Sequence, residues 1–430
     1  MKNMKKRSLR RIFAGILCVG ILLTSAEPCS ASAPLGYDEY GDPIVTATPV
    51  PDGQSSGQAA AVMPAHSSYY SHAADTDSID GWPKGPGIEA QAAVLMDVNT
   101  EAVLYSKNAD TQLYPASITK ILTTLLACEN LNAKTNITVS ENASTSVTAG
   151  DSSIYAAPGE EFTRDQALMA VMLQSANEMT LAVAELTSGS TKKFVEQMNL
   201  KARQLGCTNT HFNNPNGLPD ETHYTTAADM AKIARAAWFN FTFRKFVTTG
   251  YYEIPPTNKF AETRYLLNHH KMMSGQTYAY DGVLGGKTGY TEAAGNTLVT
   301  YAKNDNTYLV AVVMQSVNGA YSDTKALLDY GFNNFSRSKI KGLKKEISRS
   351  CLPAEKYLLK DYKDFTLFRR RQNAYVSLPQ GTDVSQLSTS YSMTKNLAGL
   401  PLLTITYSYN GHEVGTARYY PKNSISDLLL

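Results

Sequence analysis

Ser117 and Lys120 stand three residues apart in the run Tyr114-Pro115-Ala116-Ser117-Ile118-Thr119-Lys120. On one turn of helix, positions i and i+3 share a face, so the hydroxyl and the amine meet without a third residue to bring them together. Such a pair suits covalent catalysis, in which a neutral amine takes the proton of the serine as its oxygen attacks an acyl carbon. The spacing alone decides little. Ser-x-x-Lys begins at Ser117, Ser190, Ser322, Ser336, Ser338 and Ser392, and a short pattern carries meaning only in a fitting context.

Setting separates the copies. Pro115 opens a helix whose residues Ile118, Ile121, Leu122 and Leu125 follow the i, i+3, i+4, i+7 pattern of one apolar face. Ser117 falls on its first turn, where free N–H groups and the positive dipole end favour a developing anion. Further on, Gln174-Ser175-Ala176-Asn177 interrupts a run of apolar residues that resumes at Met179. Buried polar groups need partners, and taken alone this cluster reads as a helix-to-helix turn satisfying its own backbone. Ser-x-Asn also begins at Ser106, Ser140 and Ser316. Finally, Gly282-Val283-Leu284-Gly285-Gly286-Lys287-Thr288-Gly289-Tyr290-Thr291 mixes glycines with β-favouring residues. Glycine within a strand marks a close approach by backbone or ligand.

The elements that must position these residues are legible in outline. Residues 92–97 and 102–105 predict a hairpin, and Thr163-Arg164-Asp165-Gln166 a capping box opening a helix. Asn213-Asn214-Pro215-Asn216-Gly217 is a turn cluster, and Ala227 to Trp238 reads as a helix. Strands are expected at Thr297 to Tyr301 and Tyr308 to Gln315, and a closing helix from Thr324 to Phe335. Strands early and late with helices between them predict an α+β domain whose antiparallel sheet joins both ends of the segment, with the helices packed on it. From about residue 339, short strands around Phe365–Phe368, Ala374–Leu378, Leu403–Tyr407 and Ala417–Tyr420 indicate a small all-β domain.

The chain has 430 residues, an apolar fraction of 43%, a charged fraction of 18% and a net charge of +2. That describes globular domains with no general electrostatic case for nucleic acid as a partner. Arg369-Arg370-Arg371 reads as a solvated strand edge or loop. The amino terminus carries a basic stretch from Lys2 to Arg11, an apolar one from Ile12 to Thr24, and small residues at Cys29-Ser30-Ala31-Ser32-Ala33. This is the pattern of an export signal cut near Ala31 or Ala33. The apolar stretch is short for a bilayer span, so membrane contact is expected only if the segment stays uncleaved. Residues 32–81, rich in Pro, Gly, Ser and Ala, are expected to be a flexible spacer. The expected division is 1–31 signal, 32–81 spacer, 82–337 catalytic domain and 338–430 β domain.

Beyond that leader remain Cys128, Cys207 and Cys351, which cannot all pair internally, and no Cys-x-x-Cys occurs. Cys128 lies in an apolar helical run and reads as a small buried side chain. The seven histidines show no ligand spacing. His269-His270 is an adjacent pair pointing in different directions, so neither a metal nor another cofactor is expected.

Ser117-Ile118-Thr119-Lys120, Ser175-Ala176-Asn177 and Lys287-Thr288-Gly289, in that order, resemble the three motifs of the penicillin-binding proteins and serine β-lactamases. The phrases around the first and third motifs, with Asn214-Pro215-Asn216-Gly217-Leu218, resemble the low-molecular-weight D-alanyl-D-alanine carboxypeptidases over residues 82–336. The resemblance implies a β-lactamase/transpeptidase-like domain followed by a β-rich one. It implies a bacterial serine carboxypeptidase acting outside the cytoplasmic membrane on stem peptides ending in D-Ala-D-Ala, and acylated by β-lactams. It makes Ser117 the nucleophile, Lys120 its base and Ser175 a proton relay. Asn177, Lys287, Thr288, Gly289 and Tyr290 then fall to the substrate, with the N–H groups of Ser117 and Tyr290 as oxyanion hole.

The chain departs from the family pattern in Ala176, Tyr290 and Gly319-Ala320-Tyr321, the last standing where relatives often carry a carboxylate-binding arginine. Alternatives from the same residues are endopeptidase or transpeptidase action and a penicillin-binding sensor without turnover. A β-lactamase would need a further positioned base, and Glu-x-x-Leu-Asn is absent from the expected interval.

Overall fold

The structure is a computed structural model and describes residues 66–317, 319–348, 367–370, 373–395 and 401–421. The expected signal segment, the spacer up to residue 65, Cys351 and Arg371 lie outside the described residues.

In chain order, the hairpin β1 (Ala90–Asp97) and β2 (Val103–Lys107) leads to a 3-10 turn (Ala116–Thr119) and α1 (Lys120–Asn130). Then come β3 (Asn136–Thr138), α2 (Glu141–Thr145) and β4 (Glu161–Thr163). Helices α3 (Arg164–Leu173), α4 (Asn177–Ser188), α5 (Thr191–Gln204), α6 (Ala227–Phe239) and α7 (Phe241–Val247) follow. A short ribbon of β5 (Tyr251–Ile254) and β6 (Arg264–Leu267) precedes β7 (Val283–Thr291), β8 (Gly295–Asn304), β9 (Thr307–Ser316) and α8 (Ala320–Asn334).

The main sheet is antiparallel in the order β2-β1-β9-β8-β7, so it joins both ends of the segment as expected. Its two faces follow from the period of a strand. Ala92, Val94 and Met96 of β1 pack with Val310, Val312 and Met314 of β9 against α1, α3, α4 and α6. Ala93 and Leu95 face the other way with Leu309, Ala311 and Val313, against Leu327, Leu328 and Tyr330 of α8. Both faces are buried, and each of the Val, Leu and Met side chains contributes about 1.5–3 kcal/mol when fully removed from water.

Beyond α8 the chain is all β: β10 (Phe335–Lys339), β11 (Glu346–Ser348), β12 (Leu367–Arg370), β13 (Tyr375–Pro379), β14 (Ser388–Lys395), β15 (Pro401–Tyr409) and β16 (His412–Pro421). β10 pairs with β13, and the rest form a sheet in the order β11-β12-β16-β15-β14. Arg369 and Arg370 lie in β12. Polar contacts tie these strands to the first hairpin. Ser377 Oγ donates to Asp97 Oδ2 at 2.7 Å and lies 2.9 Å from Thr100 Oγ1, while Arg418 reaches Glu101 at 2.7 Å.

Three expectations need correction. Residues 66–81 are not spacer. They include a 3-10 turn at Asp75–Ser78, Ser106 Oγ donates to Asp75 Oδ2, and the buried Lys107 amine donates to the carbonyl of Tyr69 at 2.6 Å. Composition does not register backbone acceptors of this kind. Ser117 lies in a 3-10 turn, and the α-helix begins only at Lys120. A 3-10 turn places i and i+3 directly above each other, so the expected meeting is kept. Cys128 is half-buried rather than buried. Some elements escape the sequence signals: α5 buries only Phe194, Met198 and Ala202, which leaves a thin apolar stripe, and β14 is mostly exposed.

Candidate active site

Ala116 bends the chain into the turn with φ +50, a conformation that costs a non-glycine residue about 1–2 kcal/mol. The bend is held from two sides. Thr297 Oγ1 on β8 reaches the carbonyl of Pro115 at 2.9 Å and that of Gly289 on β7 at 3.1 Å. From the other side, Gly217 adopts φ +89, and a Cβ there would lie 1.9 Å from the Ala116 carbonyl oxygen. The Asn214–Gly217 loop is fastened in turn. His223 Nδ1 accepts from the N–H groups of Asn213 and Asn214 at 3.0 and 3.3 Å, so its proton is on Nε2, which donates to Thr119 Oγ1 at 3.0 Å. Burial pushes this imidazole down to about 4, keeping it neutral.

Lys120 is fully buried, and its Nζ lies 2.9 Å from Ser117 Oγ. It donates to Asn177 Oδ1 at 2.8 Å and to the Asn216 carbonyl at 2.6 Å. Burial above all, and then the Lys287 ammonium, hold its pKa well below the ordinary lysine range, while Asp151 and Glu178 pull the other way. A neutral amine has two N–H bonds and one lone pair. The two carbonyl oxygens occupy both N–H bonds, which leaves the lone pair for the Ser117 hydroxyl.

The second cluster is the break between α3 and α4. Ser175 has φ +56, is buried, and its Oγ makes no hydrogen bond within the protein. A buried hydroxyl without a partner costs about 1–3 kcal/mol, the kind of expense found where a site awaits a ligand. Asn177 starts α4, and its N–H donates to the Ser152 carbonyl at 2.8 Å. The neighbouring Glu178 is buried and accepts from Ser153 Oγ and the Ile154 N–H, both at 2.8 Å.

β7 forms the opposite wall. Lys287 and Thr288 are buried, and Lys287 Nζ donates to the Thr288 carbonyl at 2.8 Å. Gly289 lets this strand touch the Ser117 turn, since a Cβ there would lie 2.8 Å from Ser117 N and 3.1 Å from Ile118 N. Tyr290 is half exposed at the rim. Beneath Gly286 lies the His270 ring, fully buried with Nε2 2.8 Å from Thr300 Oγ1, and burial pushes its pKa down to about 3.

The structure thus brings Ser117, Lys120 and Asn177 into direct contact, and Gly289 against the same turn. Of the other Ser-x-x-Lys serines, Ser190 Oγ caps α5 and Ser322 Oγ donates to the Gly319 carbonyl. Sequence reasoning missed Asn216 as an acceptor for Lys120, because a backbone carbonyl leaves no trace in residue type. Nor does ligand spacing reveal His270, whose ring lies under β7 against Gly286. Among the described residues no cluster of His, Cys, Asp and Glu is arranged to hold a metal ion.

A profile of the D-alanyl-D-alanine carboxypeptidases matches residues 81–318. The chain belongs to this family. Among its relatives, the D-alanyl-D-alanine carboxypeptidase DacF of Bacillus subtilis is 33% identical over 333 residues, which cover 76% of this chain and 80% of that protein. DacA of Escherichia coli is 28% identical over 348 residues, or 77% and 81% of the two chains. Penicillin binding protein 5 from Haemophilus influenzae superposes with a TM-score of 0.61 at 26% identity, over 79% of this chain and 98% of its own. The Streptomyces K15 DD-transpeptidase gives 0.55 at 32% identity, over 58% and 99%. The carboxypeptidase family thus shares the β-lactamase/transpeptidase-like fold described above.

Proposed function

We propose that this D-alanyl-D-alanine carboxypeptidase removes the terminal D-alanine from peptidoglycan stem peptides through an acyl-enzyme on Ser117. The observation that carries the reading is the Lys120 amine, 2.9 Å from Ser117 Oγ with its N–H bonds directed at two carbonyl oxygens. Lys120 takes the serine proton as Oγ bonds to the carbonyl carbon of the penultimate D-alanine. The N–H groups of Ser117 and Tyr290 receive the developing oxyanion, a contribution of roughly 3 kcal/mol per donor. Collapse breaks the C–N bond, and the departing nitrogen is protonated through Lys120 and Ser175, whose unpartnered hydroxyl supports a relay role. Water then adds to the ester as Lys120 accepts its proton; the C–Oγ bond breaks, Lys120 returns that proton to Ser117 Oγ, and the shortened peptide leaves as an acid that ionises in water.

Asn177 has committed Oδ1 to Lys120, so its NH₂ is the group left for a substrate carbonyl. β7 pairs with the peptide as an added strand, and Lys287 and Thr288 take the terminal carboxylate. β-Lactams, as cyclic acyl donors, would label Ser117. A second reading has one observation behind it: a similar solved protein is a DD-transpeptidase, and an amine replacing water would give that reaction from the same intermediate.

We also take residues 1–31 as an export signal, 82–337 as the catalytic domain and 338–430 as the β domain. The protein then works outside the cytoplasmic membrane. The leader composition supports this, and no described helix is long and apolar enough to cross a membrane. The test is to incubate the mature protein with a pentapeptide ending in D-Ala-D-Ala and measure free D-alanine. Release by the wild type and none by Ser117→Ala is the expected result. Penicillin labelling without any release would overturn the carboxypeptidase reading.

A further inference from the structure

The ribbon of β5 and β6 has two unlike faces, because side chains alternate across a strand. On the inner face Ile254 and Leu266 are buried in the core, and Arg264 pairs with Glu160 at 2.7 Å. On the outer face the register sets Tyr251 opposite Leu267 and Glu253 opposite Tyr265. All four point to solvent, with Tyr251 51%, Tyr265 67% and Leu267 52% exposed. Apolar residues scattered singly over a surface are ordinary, but these share one face of a short ribbon. Tyr251 donates its hydroxyl to Glu253 Oε1 at 2.6 Å, and this bond pushes the phenol up to about 12, so its edge stays polar and neutral.

The ribbon is fastened to the break that carries Ser175. Gln174 Nε2 donates to the Leu267 carbonyl at 2.8 Å, and the His269 N–H to the Leu173 carbonyl at 3.3 Å. The outer face is therefore a rigid continuation of the cleft wall. Its size and charge narrow the occupant. Two strands of four residues give a face roughly 13 Å long and about 10 Å wide, far below the ~800 Å² per partner of a stable protein interface. A lipid surface favours basic residues around an apolar patch, whereas here a carboxylate stands within it. Two phenol rings, a leucine and an acceptor suit an uncharged ring with C–H groups on its faces and hydroxyl and amide groups on its rim, which describes an N-acetylated sugar.

We propose that Tyr251, Tyr265 and Leu267, with Glu253 as acceptor, form a platform for the glycan chain of peptidoglycan, a run of N-acetylated amino sugars, and hold the polymer beside the cleft. The choice of polymer rests on the proposed function, in which the stem peptides are the substrate.

Chitotetraose, an uncharged oligomer of N-acetylglucosamine, is the probe, and NMR titration of the mature protein reads its binding without turnover. The wild type should bind it. Tyr251→Thr and Tyr265→Thr keep strand propensity but remove a ring, and each should weaken binding about fivefold or more, while Tyr265→Phe retains it. In the double replacement, the ratio of D-alanine release from insoluble peptidoglycan to release from a soluble pentapeptide should fall by a similar factor. No binding by the wild type, binding unaltered in the double replacement, or a ratio that stays within twofold overturns the platform. Self-association or adhesion to anionic vesicles that depends on these residues, without sugar binding, assigns the face to a second copy or to lipid and overturns it too. No D-alanine release from the soluble peptide would count against the carboxypeptidase reading alone, because the titration still reports the sugar.

Discussion

Asn177 Oδ1 accepts a hydrogen bond from Lys120 Nζ at 2.8 Å, joining the start of α4 to the start of α1. With the Asn216 carbonyl as second acceptor, this bond orients the amine beside Ser117 Oγ, the geometry that the proposed role of a base requires.

Lys120→Ala should slow acylation of Ser117 by a labelled penicillin by roughly 10²–10⁴-fold, the usual value of a positioned general base. An unchanged labelling rate would remove Lys120 from the mechanism. In Lys120→Met the relief of a buried amine that must shed its proton to fold is opposed by leaving Asn177 Oδ1 and the Asn216 carbonyl without that donor, at about 1–3 kcal/mol.

The pH dependence follows from the same residue. Its folded pKa is depressed by burial and by Lys287, so the unfolded chain binds more protons wherever the pH lies between the two values. Stability of the wild type relative to Lys120→Met should therefore rise with pH above the depressed folded pKa, up to the ordinary lysine pKa of about 10.4. Acylation needs the neutral amine and fails on the acid side of the folded pKa. Removing the neighbouring cation with Lys287→Ala should raise that pKa, and the acid limb of the labelling rate should shift to higher pH. A limb that stays in place or moves to lower pH would show that Lys287 does not tune the base.

Gly289→Ala puts a methyl group 2.8 Å from Ser117 N and 2.5 Å from Thr297 Oγ1. The strand and the turn must separate, at a cost of about 1–3 kcal/mol. Thermal unfolding should detect this loss together with a large fall in penicillin labelling. Normal labelling in this variant would mean that the contact between β7 and the turn is dispensable.

Ser377→Ala removes a buried hydroxyl that donates to Asp97 and contacts Thr100. Leaving those partners unsatisfied should cost about 1–3 kcal/mol. The site lies elsewhere in the sheet, so kcat/KM for D-alanine release should stay within twofold. A variant with full stability would show that the β domain is held by other contacts.

Much of the catalytic arrangement could be read from local pattern. Ser117 and Lys120 meet through i, i+3 spacing, which survives the change from α to 3-10 geometry. The capping box at Thr163 and Gln166 formed as expected because both partners lie within one turn. Hairpin strands and the closing helix were legible for the same reason. The order of residues 66–81 is not legible in composition because their anchors are single distant contacts, Tyr69 carbonyl to Lys107 and Asp75 to Ser106.

What the sequence determined by itself was the set of candidate site residues, their order, and the fold class that follows from apolar periodicity. Tertiary structure decided their electrical state. Lys120 loses its ordinary basicity because the helices and sheet exclude water around it and β7 brings Lys287 near. The carbonyl of Asn216 accepts one of its N–H bonds because a loop about a hundred residues downstream packs closely against the Ser117 turn at Gly217. Desolvation and through-space charge depend on where distant segments pack, and no spacing within a motif encodes that.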